Sequence, residues 1–206
     1  MNVIRRYQPT DRGDVYRVCV MTGTSGGDAT GLHANDDVIP DIFAGPYLAI
    51  EPELAFVVDT GERVAGYVIA TGTTRRFARR YREAWLPAFA AKHPRAAPRP
   101  ASGATPADRM IDLGYRPERM LIAEVDEYPA HLHIDLLPEI QGQGLGRSLI
   151  RTLLAALNER GIRNVHLGLS PTNTSARAFY DRLGFHELHS STASEPLLGI
   201  ATDAAV

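Results

Sequence analysis

One segment, residues 136–147, constrains this chain more than any other, because it joins an apolar strand end, a glycine-rich turn and the start of an amphipathic helix. Gly142, Gly144 and Gly146 carry no Cβ, so the turn can fold tightly and direct several backbone N–H groups at one point. The following helix adds the unpaired N–H groups of its first turn and the positive end of its dipole. The segment therefore predicts a phosphate or pyrophosphate site, with a ligand-free strand-to-helix turn as the simpler alternative.

The spacing of these glycines separates the known kinds of phosphate loop. The pattern Gly-x-Gly-x-Gly differs from the Gly-x-Gly-x-x-Gly of dinucleotide-binding folds, and no Gly-Lys-Ser/Thr follows as in a P-loop. Binding of NAD or ATP is therefore disfavoured. Gln141-x-x-Gly144-x-Gly146 instead resembles the acyl-CoA pyrophosphate loop of the GCN5-related N-acetyltransferase (GNAT) superfamily.

A second motif lies downstream, at residues 173–185. Its sequence NTSARAFYDRLGF resembles the Asn-x-x-Ala-x-x-Phe-Tyr-x-x-x-Gly-Phe element of the same superfamily. Ala176, Phe179 and Tyr180 recur at helical spacing on one face, and Gly184 stands where a left-handed C-terminal cap belongs. Two motifs in the order of the family, joined by a predicted helix and strand, make the resemblance to a GNAT domain specific.

Hydrophobic patterning and turn residues divide the rest of the chain into helices and strands. The predicted strands are 3–6, 55–58, 64–70, 130–137, 163–169 and a last one near 185–189. The predicted helices are one capped by Thr10 or Asp11, then 36–44 ending at Gly45-Pro46, 75–92, 145–157 and 173–183. Segments 22–31 and 93–107 are predicted to be irregular, the second one also exposed.

This order of elements resembles the GNAT fold, an α/β fold with a mixed, mostly antiparallel central sheet flanked by helices. In that fold the two strands beside the central helix splay apart, and the pantetheine arm of the cofactor enters the gap. We expect a single domain over residues 1–206, with 71–129 as an insertion before the cofactor strand. Residues 5–7, 28–30, 45–48 and 131–138 further resemble a bacterial GNAT subgroup, similar to the acetyltransferase-like C-terminal domain of eukaryotic nuclear O-GlcNAcase.

The amino-acid composition of the chain restricts the classes of partner that we expect it to bind. The chain has 22 basic and 24 acidic residues, a formal charge of −2, and so lacks the basic excess of a general nucleic-acid binder. Hydrophobic residues make up 44% of the 206 residues, but no stretch is long and apolar enough to span a membrane. The one cysteine, Cys19, excludes an internal disulfide framework, and no metal site is predicted. With no signal peptide evident, we expect a cytoplasmic protein without nucleic-acid or membrane partners.

The resemblance implies that acetyl-CoA is the cofactor and assigns residues to it. The cofactor strand would contribute backbone groups of Ile134, Asp135 and Leu136 to the pantetheine and the acetyl carbonyl. The pyrophosphate contacts would map to Gln141, Gly142, Gln143, Gly144, Leu145, Gly146 and Arg147. The second motif would contribute Asn173, Ala176, Phe179 and Tyr180. Asn173 is expected to hydrogen-bond the pantetheine arm, with a purely helix-capping role as the alternative.

The catalytic residues are less fully specified. Tyr180 matches the family tyrosine that protonates the departing thiolate, and a phenol with an ordinary pKa of about 10 keeps its proton at neutral pH. A tyrosine packed in a helix face is the alternative. The usual glutamate bases are missing, since one of their positions holds Gly168. His131, His133 and Asp135 alternate along one strand face, so His133 and Asp135 are candidate proton acceptors, with a structural polar patch as the alternative.

Asp28 and Tyr47 fall where the substrate-facing loops of the family lie, although Asp28 could equally stabilise a turn. The arginines of 75–82 either meet an acidic substrate or form a solvated helix face. Together these residues predict an acetyl-CoA-dependent N-acetyltransferase that transfers an acetyl group directly to a primary amine of a small molecule or a peptide. A catalytically inactive module that binds acyl-CoA or a protein is the alternative, and a homodimer is left open.

Overall fold

The computed structural model describes residues 2–95 and 105–206, which form one seven-stranded sheet with helices packed on it. The strands are β1 (Val3–Arg6), β2 (Ala55–Asp59), β3 (Val64–Thr71), β4 (Ala130–Leu136), β5 (Asn164–Gly168), β6 (His186–Glu187) and β7 (Leu197–Ala201). They follow the order β1-β2-β3-β4-β5-β7-β6, and each neighbouring pair is antiparallel except β4 and β5. The predicted fold class is confirmed.

The helices precede, interrupt and follow the strands. They are α1 (Arg12–Met21), α2 (Val38–Phe43), α3 (Gly45–Ile50), α4 (Thr74–Arg80), α5 (Leu86–Lys92), α6 (Pro106–Gly114), α7 (Leu145–Asn158) and α8 (Thr174–Arg182). Short 3₁₀ turns occupy 9–11, 52–54, 117–120 and 138–140. Among the described residues, no helix combines the length and the apolar character needed to cross a bilayer.

Part of the core lies between α7 and the sheet. Leu149, Leu153 and Leu157 recur at helical spacing and are fully buried, and α7 packs against β2 and β3. Truncating Leu153 to alanine would leave a cavity there and cost about 2–5 kcal/mol of unfolding free energy. The chain turns away after α7 at Gly161, whose φ of +72° is the left-handed conformation that glycine adopts without strain.

Two predictions at element boundaries are wrong. Gly45 and Pro46 begin α3 instead of ending the preceding helix, because a proline in the first helical turn lacks only an N–H group that has no intrahelical partner. The strand near residues 185–189 is only two residues long, and it is not the last one. The chain returns as β7, which inserts between β5 and β6 and pairs with both.

The described part of the segment between β3 and β4 is largely helical. The predicted helix 75–92 is present as α4 and α5, which are joined by one π-helical turn at residues 81–85. Pro87 lies just after this turn. A proline inside a helix has no N–H group to donate and its ring clashes with the carbonyl four residues earlier, which accounts for the widened turn.

The predicted exposed connection 93–107 is only partly irregular, and residues 96–104 lie outside the described residues. His93 is buried, and its Nε2 lies 2.8 Å from Asp41 Oδ2. At the other end, the Thr105 hydroxyl accepts a hydrogen bond from the Asp108 amide at 3.1 Å and caps α6, which begins at Pro106. The polar side chains of this segment are thus used to anchor it, which its Pro- and Ala-rich composition does not reveal.

Candidate active site

The two parallel strands β4 and β5 separate soon after they start. Their pairing consists of Ala130 with Val165 and His131 with His166, and no further pair is formed by the described residues. Beyond these pairs a cleft of about 270 Å³ opens between the strands. The gap that the fold requires for the pantetheine arm is therefore present. We call it the cofactor cleft, lined by residues 22–23, 25–26, 132–135, 167–170, 173, 176 and 180.

The peptide groups of β4 that face this gap can be assigned from one hydrogen bond. The Leu137 amide donates to the carbonyl of Ala65 in β3. Because successive residues of a strand direct their peptide groups to opposite edges, Leu136 and Ile134 direct theirs toward the cofactor cleft. The Leu136 carbonyl accepts from Gln141 Nε2 at 2.8 Å, so the Gln141 side chain ties the loop to the strand end. The Ile134 peptide remains directed into the cleft.

The loop after β4 carries a row of unpaired amides. Gly142 and Gly144 have φ values of +72° and +76°, which a side chain would strain. In the described part of the chain, no backbone acceptor pairs with the N–H groups of residues 142–147. The first amides of α7 lack a partner because no helical turn precedes them to supply a carbonyl. The Arg147 side chain is exposed beside them. Consecutive amides at a helix N-terminus fit a diphosphate group.

Neighbouring residues shape this loop. The Leu145 side chain is half-buried against the core, as predicted for the first residue of the apolar helix face. Gln143 Nε2 donates to the Glu139 carbonyl at 3.0 Å, which closes the turn from within. The ring of Phe179, from α8, packs directly on Gly146, where a Cβ would lie 3.2 Å from two ring carbons. The loop and α8 are therefore in contact through a residue that must be small.

The second motif forms the opposite wall of the cofactor cleft. Asn173 Oδ1 accepts a hydrogen bond from the Ala176 amide at 3.0 Å and so caps α8, while its Nδ2 lies near Gly26 at the cleft. Asn173 and Ala176 line the cofactor cleft together with Tyr180. Tyr180 is about 7% exposed, and its hydroxyl hydrogen-bonds to none of the described residues. The structure thus brings Asn173, Ala176 and Tyr180 together beside β4.

A larger cleft of about 530 Å³ adjoins the first one. We call it the acceptor cleft, and its lining includes Phe43, Tyr47, Arg116, Arg119, His131 and Glu195. His133 and the segment 167–170 line both clefts. His133 therefore stands at the junction of the two.

A chain of hydrogen bonds fixes the imidazoles of this junction. The Thr74 hydroxyl donates to the Pro129 carbonyl at 2.9 Å, so it must accept from His131 Nδ1, which lies 2.7 Å away. His131 Nε2 then accepts from the Tyr47 hydroxyl at 2.6 Å. The Tyr47 oxygen in turn accepts from His133 Nε2 at 3.0 Å. This assignment of protons leaves His133 Nδ1 as an acceptor without a partner among the described residues.

Burial decides the charge states of His131, His133 and Tyr180 at neutral pH. Burial, together with the nearby positive groups, lowers the pKa of His131 well below its ordinary value. Burial and the charge of Arg119 lower the pKa of His133 to about 4. Burial and the negative charge of Asp135 raise the pKa of Tyr180. At neutral pH both imidazoles are uncharged and the phenol keeps its proton.

Asp135 lies on the same strand face as the histidines but has other partners. Its Oδ2 accepts from the Tyr67 hydroxyl at 2.5 Å. Burial raises the pKa of Asp135. By the alternation along β4, its peptide groups face β3 and not the cofactor cleft. The predicted grouping of His131 with His133 is therefore present, while the Asp135 carboxylate is held apart from them.

The remaining candidates lie on the acceptor side or outside it. Tyr47 is buried and lines the acceptor cleft, as described above. Asp28 is exposed, and its carboxylate accepts from the Thr30 amide and hydroxyl at 2.8 Å and 2.6 Å, so it stabilises a turn and lines neither of the two clefts. Within the basic segment 75–82, ion pairs join Arg75 to Asp126, Arg76 to Glu51 and Arg82 to Glu118.

Comparisons with known proteins agree with this geometry. Residues 34–185 match the family described as the acetyltransferase (GNAT) family. The chain belongs to the GNAT family. The crystal structure of SsHAT superposes on this GNAT chain with a TM-score of 0.92, at 47% sequence identity and with 98% of each chain covered.

Two further relatives bear on the extent and the cofactor of the GNAT domain. The O-GlcNAcase of Rattus norvegicus is 23% identical over 189 residues, which are 90% of this chain and 20% of that protein, so the chain spans about a fifth of that relative. A GNAT phosphinothricin acetyltransferase from Sinorhizobium meliloti, solved in complex with acetyl-CoA, shares the fold at 14% identity, with a TM-score of 0.54 and coverage of 97% and 88%. The family uses acetyl-CoA, and its members are acyltransferases.

Several residues of the site were missed by the sequence analysis, among them Phe43, Arg116 and Glu195 as well as the two described next. Thr74 begins α4 and hydrogen-bonds to His131, and Arg119 reaches the acceptor cleft from the 3₁₀ turn at residues 117–120. No local motif marks either one. The only available signal for Arg119 was its position in an insertion that the minimal fold lacks.

Proposed function

We propose that this chain transfers an acetyl group from acetyl-CoA directly to a primary amine bound in the acceptor cleft. The observation that carries the proposal is the position of His133, which lines both the cofactor cleft and the acceptor cleft. A side chain at this junction can contact an amine on one side and face the thioester position on the other. Direct transfer needs this proximity, because holding both reactants side by side converts a bimolecular reaction into an effectively unimolecular one within the complex.

The residues present fit acetyl-CoA. Six consecutive unpaired amides at 142–147, next to Arg147, suit its diphosphate, and the peptide groups of Ile134 suit the amide-rich pantetheine arm. Asn173 keeps its Nδ2 for the same arm while its Oδ1 caps α8. When bound, acetyl-CoA supplies the acetyl group as a thioester. The chain would hold that thioester between β4 and Tyr180.

Tyr180 is proposed to act as the general acid. Its raised pKa keeps the proton on the hydroxyl oxygen, and the hydroxyl has no protein partner to compete for that proton among the described residues. It can therefore donate the proton to the sulfur of the departing thiolate. The wall of α8 that carries Tyr180 also carries Asn173, so acid and cofactor are held by one helix.

His133 is proposed to position the amine. With Nε2 donating to Tyr47, the Nδ1 lone pair is available to accept a hydrogen bond from the neutral amine. A pKa of about 4 makes His133 a weak base, so we assign it the orientation of the amine and the passage of its proton to solvent. The hydrogen bond from Tyr67 to Asp135 favours a positioning role for that carboxylate.

Replacement of Tyr180 by phenylalanine tests the proposal. We expect kcat to fall about 100-fold, the lower end of the effect of a general acid, while the Kd for acetyl-CoA stays within about twofold. Tyr7→Phe is the matched control, because Tyr7 lines neither cleft. Full activity of Tyr180→Phe with a confirmed amine would refute the acid role. Tight acetyl-CoA binding without acetylation of any amine in a broad panel would favour a binding module instead.

A further inference from the structure

Two arginines of the insertion carry charges that no acidic group compensates. Arg116 and Arg119 both line the acceptor cleft. Neither forms an ion pair with a described residue, whereas three arginines of the preceding helical segment are each paired with a carboxylate. The unpaired positive charge in this part of the chain therefore lines the cleft and remains exposed to solvent.

The hydrogen bonds of these arginines leave their terminal nitrogens available. Arg119 Nε donates to the Leu113 carbonyl at 3.3 Å, and Arg116 Nε donates to the Asp112 carbonyl at 3.4 Å. Among the described residues, the Nη groups of both have no hydrogen-bond partner. A guanidinium held through Nε presents its Nη groups in the fork that matches a carboxylate.

The environment of Arg119 favours an anion. The Arg119 side chain is exposed to solvent, while the surrounding protein and the like charge of Arg116 lower its pKa. Its guanidinium also lies over the Phe43 ring, 5.2 Å from the centroid. An anionic group bound between the two arginines would offset their mutual repulsion.

The same ring connects this positive pair to the proposed reaction centre. The Phe43 and His133 ring centroids are 6.0 Å apart, so the guanidinium and the imidazole both contact Phe43. The one carboxylate among the residues that line the cleft belongs to Glu195, which forms no ion pair with either arginine in the described structure. An anion is therefore attracted to the wall formed by Arg116 and Arg119 and repelled by the negative charge of Glu195.

We infer that the acceptor cleft selects a small amine that also carries a carboxylate, bound by Arg119 and Arg116 while the amine reaches His133. This inference rests on the proposed function, in that the cleft is taken to receive the acetyl acceptor. The cleft volume of about 530 Å³ lies in the range of sites for small molecules. Pairing of Arg119 with the carboxylate would also remove one cause of the low pKa of His133, which makes the imidazole a better acceptor when this kind of substrate is bound.

Matched pairs of amines test the selectivity. Amino acids of increasing chain length (glycine, β-alanine and γ-aminobutyrate) are compared with their primary amides, which keep the amine and remove the charge. For at least one length we expect kcat/KM to favour the acid by about tenfold or more, the effect of one charge-assisted hydrogen bond pair. Arg119→Gln should abolish this preference mainly through KM, while Arg79→Gln, an exposed arginine on α4 that lines neither cleft, should keep it.

A binding measurement separates failure of the inference from failure of the proposed function. The N-acetylated forms of the same acids and amides are titrated calorimetrically into the protein saturated with CoA. Preferential binding of an acid that is lost in Arg119→Gln supports the inference even if no amine is acetylated. Acetylation without any preference for acids overturns the inference and leaves the proposed function standing. Equal binding of acids and amides, or equal loss in Arg79→Gln, also overturns it.

Discussion

The Thr74 hydroxyl lies 2.7 Å from His131 Nδ1 and holds the imidazole proton on that nitrogen, because its own proton goes to the Pro129 carbonyl. The tautomer of His131 in turn fixes the direction of the Tyr47 hydroxyl. A residue outside both clefts thus decides which nitrogen of His133 is available at their junction.

Thr74→Val removes the hydroxyl oxygen that accepts from His131 and leaves the buried Nδ1–H group of His131 unpaired. We expect a loss of about 1–3 kcal/mol in unfolding free energy and a change in the ¹⁵N shifts of His133, since its tautomer is no longer imposed. Thr74→Ser keeps the hydroxyl, and we expect its unfolding free energy and its His133 ¹⁵N shifts to resemble those of the wild type. Unchanged His133 shifts in Thr74→Val, measured by long-range ¹H–¹⁵N NMR, would show that the relay does not set the tautomer.

Gly146→Ala tests the contact between the cofactor loop and α8. The added Cβ would lie 3.2 Å from two carbons of the Phe179 ring, so the ring and its helix must move. We expect acetyl-CoA affinity to fall about tenfold, in line with an overpacking penalty of about 1–3 kcal/mol. Gly13→Ala in α1 is the control, because no atom lies within 4 Å of its added Cβ. That variant should gain about 0.5–1 kcal/mol of unfolding free energy and bind acetyl-CoA normally.

Gly114→Ala should damage the acceptor side and spare the cofactor side. Its Cβ would overlap the buried Phe89 ring, which joins α6 to α5. We expect the unfolding free energy to fall by at least about 1–3 kcal/mol and the KM for the amine to rise, since Leu113 lies in α6, Arg116 follows it, and both line the acceptor cleft. Calorimetric binding of acetyl-CoA should be nearly unaffected at temperatures where the variant is folded. An equal loss of acetyl-CoA affinity would mean that the insertion supports both clefts.

The stability of the protein should depend on pH through His133. Its pKa is 6.5 in the unfolded chain and about 4 in the folded one, so the unfolded chain binds the proton first as the pH falls. The contribution of His133 to the unfolding free energy is complete above about pH 6.5 and is lost between that pH and about 4. Arg119, His131, His166 and Tyr47 surround the ring and contribute to this shift or to its hydrogen bonding.

Urea unfolding of the wild type and of His133→Gln across this pH range provides the measurement. The difference between the two curves is the relevant quantity, because the raised pKa of Asp135 acts in the opposite sense in both proteins. We expect the wild type to lose more stability than the variant as the pH falls. Parallel curves would mean that His133 titrates with an ordinary pKa in the folded protein.

Much of the cofactor side could be predicted from the sequence. Positive φ at Gly142 and Gly144 and the cap at Asn173 are local demands, and each leaves a residue type at a fixed spacing. The hairpin of β2 and β3 is likewise set by alternation and a short turn. By contrast, β7 was missed, because its short apolar run acquires meaning only from the two strands it pairs with.

The sequence by itself determined a GNAT sheet and a loop of amides for a diphosphate, since the residues involved are neighbours along the chain. Only the tertiary structure decided the acceptor side, where Tyr47, Thr74, Arg119 and His133 come from segments far apart in sequence. Contacts of this kind depend on how helices of the insertion pack against β4, and packing leaves no periodic pattern in the chain. The same fact explains why Asp135, adjacent to His133 on one strand face, faces different partners.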